Sequence, residues 1–171
     1  MNTLKRFVAV ACMLGIISTA GSAFAQETAN VDVTVQLESV EISVTDGTVD
    51  FGALSYGGDK MTSTASDSSD TQTIENTGTL DISIVINGTD SIDWALVLSS
   101  ELSVSVINQF AMQYRIDGMA GWEDLTTTPT ATIVDLMIGE TAPLDLFIVA
   151  PSAGSALGSQ SVMVELLGVQ I

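Results

Sequence analysis

Apolar and polar residues alternate along most of this chain, most clearly in residues 72–98. In residues 80–86 leucine and isoleucine occupy every second position, and Asp81 and Ser83 stand between them. A period of two is typical of a strand that buries one face. Similar runs are separated from it by residues 76–78 (NTG) and by Asn87-Gly88, so the stretch predicts an antiparallel meander of three strands. A second layer must then cover the apolar face of the meander.

The alternation recurs from residue 31 to the end of the chain. Apolar residues fall on odd positions in 31–37 and on even positions in 40–44. This change of parity predicts a bulge near residues 38–39, or a strand that leaves one sheet for the other. Residues 110–116 and 122–125 flank Asp117-Gly118 and predict a hairpin. Further strands are predicted at 48–52, 102–106, 133–138, 144–149 and 162–171, with loops at 57–70, 126–132 and 151–158. About ten short strands and no helical pattern predict an all-β sandwich.

The first 25 residues have the parts of a secretory signal peptide. Lys5 and Arg6 precede an apolar run at residues 7–17, and residues 23–25 (AFA) form a small-x-small cleavage site. The apolar run is shorter than the roughly 20 residues of a membrane span. We therefore expect cleavage after Ala25 and a single mature domain at 26–171 that does not span the membrane. The domain would be secreted and would reside at the cell surface, in the extracellular space or in the periplasm. Export without any cysteine in the mature chain is ordinary in bacteria.

The charge of the chain limits its partners. It has 21 acidic residues against 4 basic ones, a formal net charge of −17, and cleavage after Ala25 would leave Lys60 and Arg115 as the only basic residues. A surface this negative repels phosphate backbones and attracts cations, so nucleic acid is not an expected partner. An acidic surface also favours solubility, and this simpler explanation of the negative charge stays open.

The residue inventory excludes several kinds of catalytic site. The chain has no histidine, and its one cysteine, Cys12, lies in the predicted signal peptide. Histidine triads, cysteine nucleophiles and ordinary zinc sites are therefore excluded from the mature chain. Paired carboxylates could support a glycosidase, but no aromatic-lined sugar cleft is indicated. We expect no enzymatic activity.

Oxygen-rich turns are the remaining candidates for a bound cofactor, which would be calcium. Calcium takes carboxylate and carbonyl oxygens from flexible loops. Asp and Asn beside Gly are also ordinary turn residues, and no turn here has the EF-hand spacing. The candidate ligands are Asp46, Asp50, Asp67, Asp70, Asp90 and Asp93.

The two tryptophans decide between a packing role and a glycan platform. Trp94 has the same parity as Ile92 and Leu96, so we expect it in the core. Trp122 is expected to pack across the hairpin near Tyr114. Two rings exposed side by side would instead favour glycan binding.

Three fragments together resemble immunoglobulin-like domains of the abnormal-spindle/hydin type. Residues 49–54 (VDFGAL) are similar to the FG-x-[LV] opening of those domains, and residues 71–78 (TQTIENTG) to their strand and turn. Residues 139–146 (GETAPLDL), followed by Ala150-Pro151, are similar to their late segment. The similarity covers most of residues 49–171, and residues 108–132 depart from it as an insertion. The resemblance implies an immunoglobulin-like antiparallel sandwich and carries no catalytic residues.

A weaker similarity is to the WxL cell-wall domain. It rests on residues 50–52 (DFG) and 94–96 (WAL), whereas the second tryptophan stands in WEDL at 122–125. That family is attached to peptidoglycan, and this departure from its paired motifs separates the present chain from that role.

The N-terminal part of the mature chain combines strong β character, a free end and the parity break. A strand of this kind can pair within its own sandwich, or it can detach and add to the sheet of another subunit. The sequence therefore predicts a structural or adhesive protein of the cell surface or extracellular matrix, whose partners are other copies or other surface proteins. The alternative is a calcium- or glycan-binding extracellular module.

Overall fold

The computed structural model describes residues 37–64, 68–103, 106–117, 119–154 and 158–171. Within these ranges the chain forms ten strands, one short 3-10 helix at Ser99–Glu101 and no α-helix. The strands are β1 (Ile42–Val44), β2 (Asp59–Met61), β3 (Gln72–Asn76), β4 (Ile82–Gly88), β5 (Ala95–Val97), β6 (Gln109–Ile116), β7 (Glu123–Asp124), β8 (Thr130–Leu136), β9 (Thr141–Val149) and β10 (Val164–Gln170).

The strands form two sheets. The larger sheet has the order β1-β3-β9-β6-β5, with β2 also paired to β9 and β7 to β6. The smaller sheet has the order β10-β4-β8. Every pair is antiparallel except β5 with β6, which is parallel. The predicted all-β sandwich of about ten strands is confirmed.

The core lies between the two sheets and follows the predicted alternation. Ile82, Ile84 and Ile86 of β4 are at most 1% exposed, and the even-numbered residues of β6 from Phe110 to Ile116 are buried against them. Burying one such side chain contributes roughly 1.5–3 kcal/mol. The hairpin of β6 and β7 also forms where it was predicted.

The predicted three-stranded meander is wrong. β3 and β4 lie in different sheets, and β4 pairs with β8 and β10 instead. The cause is Asn76, whose side chain binds Gly78 N–H and the Leu80 carbonyl and so directs the chain from one sheet to the other. Asn87-Gly88 is likewise part of β4 rather than a turn.

Several element boundaries also differ from the predictions. Residues 48–52 form no strand, because Asp46 and Asp50 each bind a backbone N–H two residues later and hold local turns. The predicted loop at 57–70 contains β2 and the fully buried Thr62. At 102–106, where a strand was predicted, the described residues belong to no strand. The signal peptide at 1–25 and residues 26–36 lie outside the described residues.

Candidate functional site

A groove of mixed apolar and polar lining opens beside β10, and residues 47–56 and 158–161 line it together with side chains of β9 and β10. Its volume is about 1100 Å³. Inward-facing residues of β9 form one wall. Inward-facing residues of β10, together with Val162 just before the strand, form another. The residues of these two walls are Leu144, Leu146, Ile148, Val162, Val164 and Leu166.

The position of β10 explains why the groove is open. Among the described residues β10 pairs only with β4, so it is an edge strand of the smaller sheet. Val164 and Leu166 pack against the core but stay partly exposed. At the other half of the strand, Val40 and Ile42 lie within about 3 Å of where a Cβ on Gly168 would be. The groove is therefore closed near Gly168 and open near Val164.

The outer face of β10 is also apolar. Leu167 is 60% exposed and Val169 is 43% exposed, and Met163 and Ile171 continue the same row. Leu167 lies opposite the half-buried Val85 of β4. The row is interrupted by Glu165, whose carboxylate accepts a hydrogen bond from the Asn87 amide at 2.8 Å. An edge strand that is apolar on both faces is unusual on the surface of a chain with so many carboxylates.

The calcium candidates are not gathered into one place. Each described candidate accepts a nearby hydrogen bond: Asp46 from Thr48 N–H, Asp50 from Gly52 N–H, Asp70 from the Gln72 amide, Asp90 from Leu96 N–H and Asp93 from the Gln160 amide. Asp67 lies outside the described residues. In the part of the chain that the structure describes, no three acidic side chains form a group that could hold a metal ion. Calcium binding stays a prediction.

Buried Gln72 brings two of the candidate turns together. Its amide donates to Asp70 Oδ1 at 2.8 Å and to the Thr48 carbonyl at 3.2 Å, and its Oε1 accepts from Gly47 N–H at 3.3 Å. Thr48 and Gln72 are 24 residues apart in the sequence, so this link could not be predicted from local patterns. The hydrogen bonds give these turns a structural role at the mouth of the groove, since residues 47–52 also line it.

A polar cluster on the outer face of the larger sheet was also missed. Arg115 of β6 lies opposite Asp145 of β9 and donates to its carboxylate at 2.6 Å. Asp145 also accepts from Thr71 at 2.7 Å. The Arg115 guanidinium lies 4.8 Å from the ring centroid of Trp122, which is itself 5.6 Å from the ring of Phe147. The two charged groups therefore pair with each other, and the cluster covers part of this face of the sheet.

The tryptophans lie on different faces of the larger sheet. Trp94 packs against the core with its ring 6.2 Å from that of Phe110, as expected. Trp122 packs on Arg115 and Phe147, so the expectation that it packs near Tyr114 is wrong. Tyr114 has the parity of the core residues and points away from Trp122. The two rings do not form a shared platform for a glycan.

Tyr114 is the one described group whose ionisation is clearly perturbed. It is 3% exposed. Burial raises the pKa of its phenol, and the nearby Glu123 carboxylate raises it further. The phenol therefore stays neutral throughout the physiological range.

Comparison with known proteins adds no relative. No family model matches the chain, and no curated protein matches it. A search of the described residues for a helix long and apolar enough to cross a membrane finds none.

The groove and the apolar row were missed as a site, although the sequence contained a signal for them. Residues 162–171 (VMVELLGVQI) are apolar at both odd and even positions. A strand of that composition is either buried on both faces or leaves one apolar face uncovered. Only the topology shows that β10 is an edge strand among the described residues and that no described strand lies on its other side.

Proposed function

We propose that this protein is a secreted, non-catalytic structural or adhesive component of the cell surface or extracellular matrix, and that it associates with other copies of itself. The observation that carries the proposal is the apolar edge strand β10, with Leu167 and Val169 exposed on its outer face. Exposed apolar side chains grouped along one strand are typical of an interaction surface.

The acidic surface is compatible with this association under saline conditions. Repulsion between copies is screened within about 8–10 Å at 0.1–0.15 M salt, whereas apolar contact needs close approach and is not weakened by salt. Self-association driven by β10 should therefore become stronger as the salt concentration rises. An interaction driven by ion pairs would become weaker.

The experiment is sedimentation velocity of the exported chain across a range of protein and salt concentrations. We expect species larger than the monomer to increase with both concentrations. The double variant Leu167→Lys with Val169→Lys should weaken association at least tenfold, because two charges would have to be desolvated in the contact. Both side chains point to solvent, so the fold should persist.

The matched control is Ile92→Lys. Ile92 is 89% exposed in the connection between β4 and β5 and does not belong to the β10 row. This variant adds a charge at an exposed apolar position and should associate like the unaltered chain. A chain that stays monomeric at every concentration and forms no fibres in electron micrographs would reject the proposal.

The alternative function is an extracellular calcium- or glycan-binding module. Its test is isothermal titration of the exported chain with calcium, with magnesium as the comparison. A saturable calcium signal lost on Asp46→Asn or Asp50→Asn would favour this alternative. Those two carboxylates are chosen because they flank the turn that Gln72 ties to Asp70.

A further inference from the structure

We propose that the groove beside β10 is an acceptor site for residues 31–37 of a second copy of this chain, which would lie along β10 as an additional strand. This inference rests on the proposed self-association and adds a contact at the edge of β10 to the one on its outer face. Three observations support it: the free edge, the lining of the groove, and the alternating pattern of residues 31–37.

The edge of β10 can accept another strand. In an antiparallel pair each strand directs half of its backbone N–H and C=O groups to its partner and half to the opposite side. Among the described residues β10 pairs with β4 from Val164 to Gln170 and has no strand on its other side. Its outward backbone groups therefore form a template for a further strand, as in recognition by β-strand addition.

The groove suits the inward side chains of such a strand. A strand added beside β10 would direct every second side chain between the two sheets, where Leu146 and Leu166 line the opening. Its volume of about 1100 Å³ exceeds the roughly 300–1000 Å³ of ordinary small-molecule pockets. A groove of this size can hold a row of side chains.

The segment 31–37 has the pattern that this position requires. Its odd positions are Val31, Val33, Val35 and Leu37, and its even positions are Asp32, Thr34 and Gln36. Placed beside the open half of β10 near Val164, part of this odd-numbered row would enter the groove, and the even-numbered residues would face solvent.

The geometry at Leu37 favours a second copy over the same chain. Ser39 is held by Thr79 through both its N–H and its carbonyl, beyond the end of β3. Leu37 is 83% exposed, and the C-terminal Ile171 donates to the Asp81 carbonyl at this same end of the sandwich. The groove opens at the other half of β10, near Val164. The described chain thus enters the sandwich at the end of β10 opposite to the open half of the groove.

Cysteine cross-linking tests the proposal directly, because the chain contains no cysteine other than Cys12. In a chain with Cys12→Ser, Leu166→Cys is combined in turn with Val31→Cys, Val33→Cys or Val35→Cys. Neighbouring inward residues of paired strands have Cβ atoms about 4.5–5.5 Å apart, which is close enough for a disulfide after small adjustments. Oxidised glutathione supplies the oxidant, and the products are separated under non-reducing conditions.

We expect at least one combination to give a ladder of covalent multimers that collapses on reduction. The matched control is Thr34→Cys with Leu166→Cys, which places the thiol on the outward face of the same segment and should reduce the ladder at least fivefold. A cross-linked monomer would overturn the proposal in favour of the same chain, and the absence of any cross-link in all three combinations would overturn it altogether.

Hydrogen exchange on the unaltered chain provides a measurement that needs no variant. Raising the protein concentration should protect the outward amides of β10 and the amides of residues 31–37 together, by at least tenfold. Protection of neither segment contradicts the proposal. Sedimentation of the unaltered chain separates the two hypotheses: association without cross-links or paired protection overturns the acceptor site and leaves the proposed function, whereas a strictly monomeric chain overturns both.

Discussion

The two sheets are joined tightly at one end of the sandwich and left open along one side. At the closed end Asn76 is fully buried, and its side-chain amide donates to the Leu80 carbonyl at 2.8 Å and to the Leu136 carbonyl at 3.0 Å. Its Oδ1 accepts from Gly78 N–H at 3.1 Å. One side chain thus ties the end of β3 to the connection before β4 and to the end of β8.

The side along β10 has a different character. Its inward residues Val164 and Leu166 are only partly buried, and its outward residue Leu167 is exposed. Gln72 fastens the turns at the mouth of the groove, and Gln160, which also lines it, bonds Ser91 and Asp93.

The difference between the regions has a mechanical consequence. A buried amide with all its hydrogen bonds satisfied allows few alternative arrangements, because any shift would leave a polar group unpaired. The closed end therefore fixes the spacing of the sheets, and the groove can keep its width while no strand fills it. Changes at the closed end should cost much stability, and changes along β10 should cost little stability but alter association.

The largest effect is expected for Asn76→Ala. This change removes the three side-chain hydrogen bonds and leaves buried backbone groups without those partners. An unsatisfied buried group costs about 1–3 kcal/mol, so we expect a loss of about 4 kcal/mol in the free energy of unfolding, measured by urea denaturation. Asn87→Ala is the control, because its bond to Glu165 is exposed, and it should cost less than about 1 kcal/mol. Equal losses for both variants would contradict the comparison.

The next largest effect compares two truncations in the core. Ile84 is fully buried between the sheets, so Ile84→Ala should leave a cavity and cost about 3 kcal/mol. Leu166→Ala should cost about 1 kcal/mol, because Leu166 is partly exposed and already borders open space. Urea denaturation of both variants provides the measurement. A Leu166→Ala loss as large as that of Ile84→Ala would mean that the groove is filled in solution.

Gly78→Ala should have a smaller effect at the closed end. A Cβ on Gly78 would lie 2.5 Å from the Ser39 carbonyl oxygen and 2.8 Å from Glu41 N. Both atoms belong to backbone, so the two segments would have to separate, at a cost of about 2 kcal/mol. Gly121→Ala is the control, since a Cβ there meets nothing within 4 Å, and it should change stability by less than about 0.5 kcal/mol. A loss at Gly121 equal to that at Gly78 would reject the steric explanation.

The same two regions show what sequence reasoning can predict in this molecule. Alternation identified the buried faces of β4 and β6, because a period of two reflects a local property of a strand. It did not reveal which strands pair, because pairing depends on how Asn76 directs the chain across the sandwich. The sequence places this asparagine in a turn motif, but its bond to Leu136 spans 60 residues.

The groove was hidden for a related reason. Hydrophobic residues on both faces of 162–171 indicated a strand of unusual composition, but not whether neighbours cover it. The carboxylates of the predicted calcium sites were visible as residues, and Asp46 and Asp50 each accept a hydrogen bond from a backbone N–H two residues later, which is the ordinary alternative use of an aspartate in a turn. The resemblance to abnormal-spindle/hydin domains stays a prediction.

The smallest expected effect concerns the pH dependence of stability. It comes from Tyr114, which is buried in the core between the sheets. Because burial and Glu123 raise the pKa of this phenol in the folded protein, the unfolded chain releases the proton first as pH rises above about 10. The stability that comes from the neutral phenol is therefore complete below about pH 10 and is lost as pH rises towards the folded pKa. Tyr114→Phe cannot ionise, so it should lose less stability than the unaltered chain in this alkaline window and show no such difference at pH 7–9. The measurement is urea denaturation at several pH values, with Tyr56→Phe as the control because Tyr56 is exposed and bonded to the Gly154 carbonyl. A parallel alkaline decline in the Tyr114→Phe variant and the unaltered chain would show that Tyr114 is accessible to solvent, and that the core beneath β6 is open in the way that the side along β10 is.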